Sequence, residues 1–104
     1  MKFETTPSFE GDIRRLKKSG DYELFRDAVK NHFIPAAERH IANPGQRWPA
    51  GLRVKAVRGA AGIWEMTWNF SGPDGRATFE WVELDGTPAI RWRRIGDHSI
   101  FSNP

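Results

Sequence analysis

The side chains best equipped for chemistry crowd into residues 89–104, where Arg91, Arg93 and Arg94 share one apparent strand and His98 follows in the turn after it. Arginine holds phosphate oxygens through a planar fork of donors. Histidine is the side chain whose ordinary pKa lies nearest to neutrality, so the combination supplies both charge stabilisation and proton transfer. A cationic edge that ends in an imidazole suits a phosphodiester.

Other constellations are weaker. His32 and His40 lie in a helical segment without the spacing of a metal site, and surface or capping roles suit them better. Gly59, Gly62 and Gly72 form neither a dinucleotide fingerprint nor a P-loop. Asp97, His98 and Ser99 are sequence neighbours that rarely point toward one another, and no oxyanion-hole motif accompanies them as a nucleophile triad would need.

The elements that must position these groups follow from length and periodicity. A chain of 104 residues makes one domain with a single core. Sixteen Lys and Arg against thirteen Asp and Glu give a formal charge of +3 and a pI near 9.7, which favours a polyanionic partner. The absence of cysteine excludes a disulfide framework, a thiolate metal site and a thiol nucleophile, and fits a reducing compartment. Residues 1–8 lack the apolar core of a signal peptide and no apolar run is long enough to span a bilayer, so a soluble cytoplasmic protein with no membrane partner is expected.

Phe9, Ile13 and Leu16 recur at helical spacing, with Ser8 placed to cap the helix and Ser19-Gly20 to stop it. Asp21 can start a second helix whose apolar positions are Phe25, Val29, Phe33, Ala36, Ala37 and Ile41. Pro35 interrupts that pattern and predicts either a kink near Asn31 or two shorter helices. From Leu52 the period changes to two. Residues 52–57 form a short candidate strand, and residues 63–70 place Trp64, Met66, Trp68 and Phe70 on one face. After a turn at residues 72–75, Ala77, Phe79 and Trp81 repeat the alternation, and a turn at residues 85–88 leads into a last strand over residues 89–95. The expected architecture is α+β: N-terminal helices packed on one face of a roughly four-stranded antiparallel sheet.

The other sheet face would then present Arg53 or Lys55, Glu65, Arg76, Glu80 and Arg91 or Arg93. Such a face can be a solvated surface with cross-strand ion pairs, each worth under about 1 kcal/mol. It can also be a groove for a polynucleotide, with His98 at its rim. Most of the five tryptophans fit the apolar side, which assigns them to packing rather than base stacking.

Residues 52–59, 62–68, 75–81 and 94–101, taken in this order and spacing, resemble the RelE/YoeB/HigB-type toxins of bacterial toxin–antitoxin systems, within the RelE/ParE superfamily. The resemblance runs from about Phe9 to Phe101. It implies N-terminal helices on an antiparallel sheet whose open face cuts messenger RNA in the ribosome, without metal or small-molecule cofactor, until an antitoxin protein silences it. Carried over by position, Arg76 matches the strand arginine that contacts the scissile phosphate, and His98 the catalytic histidine near the end of the chain. Lys55 and Arg58 match basic residues that approach the RNA backbone, and Arg91, Arg93 and Arg94 would extend that contact. No tyrosine accompanies His98, and no carboxylate lies near residues 50–53 to serve as base.

On this reading the ribose 2′-hydroxyl attacks phosphorus. Arg76, with Lys55 or Arg93, stabilises the developing charge, and His98 protonates the departing 5′-oxygen. Glu65 and Glu80 are candidates for the base, or ion-pair partners of Arg76 and Arg91. Two alternatives stay open: a non-cleaving protein of the same fold that inhibits a topoisomerase or only binds RNA, and an interaction domain whose cations solubilise it.

Overall fold

The computed structural model describes residues 1–69 and 75–104, so Phe70 and most of the turn expected at residues 72–75 lie outside the described residues. Strand β1 (Phe3–Thr5) leads into helix α1 (Pro7–Ser19). The cap of α1 is Thr6 rather than Ser8: its side chain accepts from the Phe9 N–H at 3.1 Å. Pro7 explains the difference, because a residue with no N–H and a fixed φ is best tolerated at the first helical position, one residue after the cap. Gly20 ends the helix at φ 84°, in the left-handed region where a Cβ is disfavoured.

The second helical pattern is divided, as Pro35 requires. Helix α2 (Tyr22–Ala28) passes through a π-turn (Val29–Phe33) into helix α3 (Ile34–Ala42), with Pro35 in the first turn of α3. Proline cannot donate to the residue four back and its ring crowds that carbonyl. The chain widens by one residue instead, and the Ile34 N–H bonds to Val29 O. Phe25, Ala28, Phe33, Ala36 and Ala37 are buried, whereas Ile41, expected on the same face, is exposed near the helix end.

The rest is a meander: β2 (Lys55–Ala56), β3 (Trp64–Thr67), β4 (Arg76–Leu84) and β5 (Thr87–Gly96). The first of these is far shorter than the strand expected over residues 52–57, because Ala50–Leu52 form a 3₁₀ turn closed by Arg53 at φ 51°. Asp85 and Gly86 both take positive φ, 53° and 78°, and make the tight two-residue hairpin between β4 and β5.

The sheet order is β1-β5-β4-β3-β2. It therefore has five strands rather than four and is mixed, since β1 runs parallel to β5 while the other pairs are antiparallel. A three-residue strand carries too little alternation to be read from sequence, and its place is decided by the otherwise open edge of β5. The helices cover one face. Trp92 lies at the centre of the interface, packed against Phe3, Phe9, Phe25, Phe33 and Phe79 at centroid separations of 5.0–6.1 Å. Burying each such ring contributes on the order of 1.5–3 kcal/mol, so this cluster dominates helix–sheet docking. No helix among the described residues is long and apolar enough to cross a membrane.

Thr78 is fully buried on the opposite face, and its hydroxyl has no hydrogen-bond partner among the described residues. A buried hydroxyl without a partner has lost its hydration for no return. Thr78→Val, which keeps the shape, is expected to raise stability by about 1 kcal/mol in denaturant titration. A destabilisation would show that the hydroxyl is bonded in solution.

Candidate functional site

Strand pairing builds the site. On the face away from the helices, the ladder aligns Lys55, Glu65 and Thr78 in one row and Thr67, Arg76 and Gly96 in the next. The first residue of β4 is thus paired with the last of β5, and the chain leaving Gly96 turns at once into the 3₁₀ turn His98–Ser102. Gly96 permits this return, because a Cβ there would lie 3.1 Å from Ile100 Cγ2. Gly75 is demanded more strongly: a Cβ would meet the Trp68 ring at 2.7 Å.

These constraints open a cleft of about 500 Å³ lined by Lys55, Val57, Arg58, Glu65, Arg76, His98 and Phe101. Four residues singled out from the sequence, Lys55, Arg58, Arg76 and His98, are therefore brought together from three separate segments. Arg53 is not among the lining residues, which resolves the choice between Arg53 and Lys55.

Arg76 is the best-held cation of the cleft, its side chain only 12% exposed. Its Nη1 donates to Thr67 Oγ1 and, at 3.3 Å, to Gly75 O, and its Nε lies 4.0 Å from Glu65 Oε1. Glu65, with its side chain 11% exposed, lies equally far from Lys55 Nζ, but Lys55 is 71% exposed. An exposed pair is worth under about 1 kcal/mol, whereas removing one partner of a nearly buried pair costs several times more. Glu65 is thus balanced mainly by Arg76, and Lys55 can swing toward a ligand. The His98 ring stands 5.7 Å from that of Phe101.

The remaining arginines divide. A bulge opposite Thr78 and Phe79 inserts one extra residue into β5. Arg91 and Arg93 both stay over Glu80, with Nη1–Oε2 distances of 3.7 and 2.6 Å, and Arg91 also pairs with Glu4. Arg94 does not join them: its Nε lies 2.7 Å from Oδ2 of Asp12 on α1, and its side chain is 21% exposed. Hydrogen bonding to Asp12 raises the Arg94 pKa above its ordinary value. Glu80, one of two candidate bases, is engaged by Arg91 and Arg93 and does not line the cleft, whereas Glu65 does.

Periodicity and motif spacing miss two contributors. Phe101 carries no periodic signal. Asp12, with its side chain 3% exposed, does carry one, because it falls within the apolar stripe Phe9–Ile13–Leu16 where an acid needs a buried partner. His40 also differs from expectation: its ring stacks between Trp48 and Trp81 at 5.0 and 5.9 Å rather than facing solvent or capping a helix. No group of three His, Asp or Glu side chains among the described residues is arranged to hold a metal ion.

Asp97 caps the turn that carries His98, accepting the Ser99 N–H at 2.8 Å. Bonds from the Ser99 side chain and backbone, with a smaller effect from His98, lower its pKa below the usual carboxylate value. A carboxyl whose folded pKa is depressed contributes stability above its unfolded value, near about 3.9, and loses it as pH falls through the folded one. Acidification into that range should therefore release the Ser99 amide, seen as a loss of its protection factor relative to the intrinsic exchange rate at each pH, while Asp97→Asn should show no such step. A protection factor that rises as pH falls through the same range would contradict the assignment.

Helices on one face of a five-stranded mixed sheet, with a cationic cleft on the other, define the class: the chain has the RelE/YoeB-like toxin fold. It matches a YoeB/ParE toxin from Agrobacterium tumefaciens with a TM-score of 0.63 at 17% identity, covering 94% of this chain and 99% of that one. A metal-bound toxin from Helicobacter pylori matches with a TM-score of 0.67 at 22% identity, over 95% and 96% of the two chains. The DinJ–YafQ complex from E. coli matches with a TM-score of 0.57 at 16% identity, over 94% and 93%. No sequence-family model and no curated protein sequence matches the chain.

Proposed function

We propose that the chain is a single-domain toxin of a toxin–antitoxin system, acting in the cytoplasm as a ribosome-dependent mRNA endoribonuclease. The observation that carries this reading is the convergence of Lys55, Arg58, Arg76 and His98 on one cleft. The fold, shared with toxins, supports it.

In this reading Arg58 and the exposed ammonium of Lys55 draw in the RNA backbone, and Arg91 and Arg93 extend the cationic surface along it. Arg76, already oriented by Thr67 and Gly75, presents its fork to the non-bridging oxygens and needs little reorganisation as their charge grows. Glu65, or water held beside it, takes the proton of the ribose 2′-hydroxyl. That oxygen forms the new bond to phosphorus while the bond to the 5′-oxygen breaks, and His98 protonates the 5′-oxygen. The products are a 2′,3′-cyclic phosphate and a 5′-hydroxyl; DNA, without the attacking hydroxyl, is inert. These steps use protein groups alone. Phe101, beside His98, offers a face on which a base can stack.

An open cationic cleft invites an oppositely charged cover, and the antitoxin is expected to lay an acidic segment over it. The DinJ–YafQ complex supports a protein partner for a chain of this fold. Translation in a cell-free extract tests the function. Message cut only when ribosomes are present, with cyclic-phosphate ends, is the expected result; intact message with and without ribosomes rejects it.

A further inference from the structure

Arg94, which the register sets opposite Thr78, is taken up by partners other than those of Arg91 and Arg93. Arg94 Nε and Nη2 donate to Oδ2 and Oδ1 of Asp12 at 2.7 and 3.2 Å, while Nη1 donates to the backbone oxygen of Asn103 at 2.9 Å. Asp12 is fixed in turn by the Ile95 N–H at 3.1 Å and by Arg15. One guanidinium thus joins a buried carboxylate of α1 to the backbone just beyond the 3₁₀ turn His98–Ser102. Arg93 adds a second strap, its Nε donating to Pro104 O at 3.2 Å.

At its near end the same turn is held by the Asp97 cap and by Ile100, which is buried against Gly96. His98 and Phe101 therefore sit in a short stretch anchored on both sides. The backbone bonds that close this turn at its two ends, Ile100 N to Asp97 O and Asn103 N to Ile100 O, measure 3.3 and 3.1 Å. Isolated 3₁₀ turns are weak, so the outer anchor decides how well the imidazole is placed.

We infer that Asp12 and Arg94 are positioning residues for His98: the pair holds the turn that aims the imidazole into the cleft and takes no direct part in the chemistry. This rests on the function proposed above. Placement matters at this scale, because a displacement of about 1 Å can cost roughly a hundredfold in rate. The buried Asp12 makes the strap directional, since its carboxylate is itself fixed by the Ile95 N–H and cannot follow the turn outward.

The test compares wild type with Asp12→Asn and Arg94→Gln. The turnover number for ribosome-dependent cleavage is expected to fall about 10–100-fold, with KM for ribosome-bound message within about twofold. Hydrogen exchange should accelerate at the Ile100 and Asn103 amides and the His98 ring resonances should broaden, while amides of β3 and β4 stay protected. Unchanged turnover and unchanged exchange in either folded variant would overturn the inference. Should both variants fail to fold, wild type decides alone: a slowly exchanging Arg94 Nε–H supports the strap, and one in fast exchange with water rejects it. The exchange measurements need no RNA, so a wild type that cuts nothing would remove the proposed function and leave the strap to be judged on its own.

Discussion

Arg76→Ala is expected to lower ribosome-dependent cleavage by roughly 10²–10³-fold, equivalent to about 2 to 4 kcal/mol of transition-state stabilisation, and to relieve growth arrest on expression. The size follows from how the side chain is held. A nearly buried guanidinium with Thr67 and Gly75 as fixed acceptors is oriented before substrate arrives, so its full electrostatic effect is delivered without reorganisation. Lys55 cannot replace it, being largely exposed and free to move. Arg76→Lys should recover only part of the loss, because an ammonium keeps the charge but not the fork. Removal of Arg76 also leaves Glu65 with a single distant cation, so activity must be normalised to folded protein by circular dichroism. Undiminished cleavage by folded Arg76→Ala would reject the role given to this side chain.

His98→Ala is expected to slow cleavage by about 10²–10⁴-fold, the range for loss of a positioned general acid. Because His98 is exposed, stability should change little. A chemical control separates the two roles. A substrate whose bridging 5′-oxygen is replaced by sulfur has a leaving group that needs no proton, and should restore much of the rate to His98→Ala but not to Arg76→Ala. Equal rescue of both, or of neither, would show that His98 does not protonate the leaving group. Acting as a unit, the two groups should also be non-additive, the double variant losing little more than the worse single one.

Much of the fold and of the cleft is legible in local residue patterns. The alternation through Trp64, Met66 and Trp68 and through Ala77, Phe79 and Trp81 marks the buried face, and Arg76 and Glu65 fall by parity on the other. Pro35 announces the broken helix. The strand at Phe3–Thr5 stays hidden, because three residues contain barely one period and their pairing depends on the edge that β5 offers. Arg94, grouped with the surface cations by residue type, is taken up instead by Asp12, an acid from a distant helix. The bulge shifts parity by one and brings Ile95 into the core opposite Ala77, which nothing local in residues 91–95 reveals. The carboxylate in the apolar stripe of α1 is a legible signal of a buried ion pair, but its partner lies in a distant strand.

By itself the sequence determined which side chains could hold a phosphate and move a proton, since residue type sets charge and donor geometry. It also determined which face of most elements they would occupy, since the helical and strand periods act over a few neighbouring residues. Only the tertiary structure decided that Arg76 pairs opposite Gly96, that His98 consequently returns to the same cleft as Lys55, and that Arg94 turns away to Asp12. Those outcomes depend on strand register, and register is set by the summed packing of the whole sheet against its helices rather than by any local pattern.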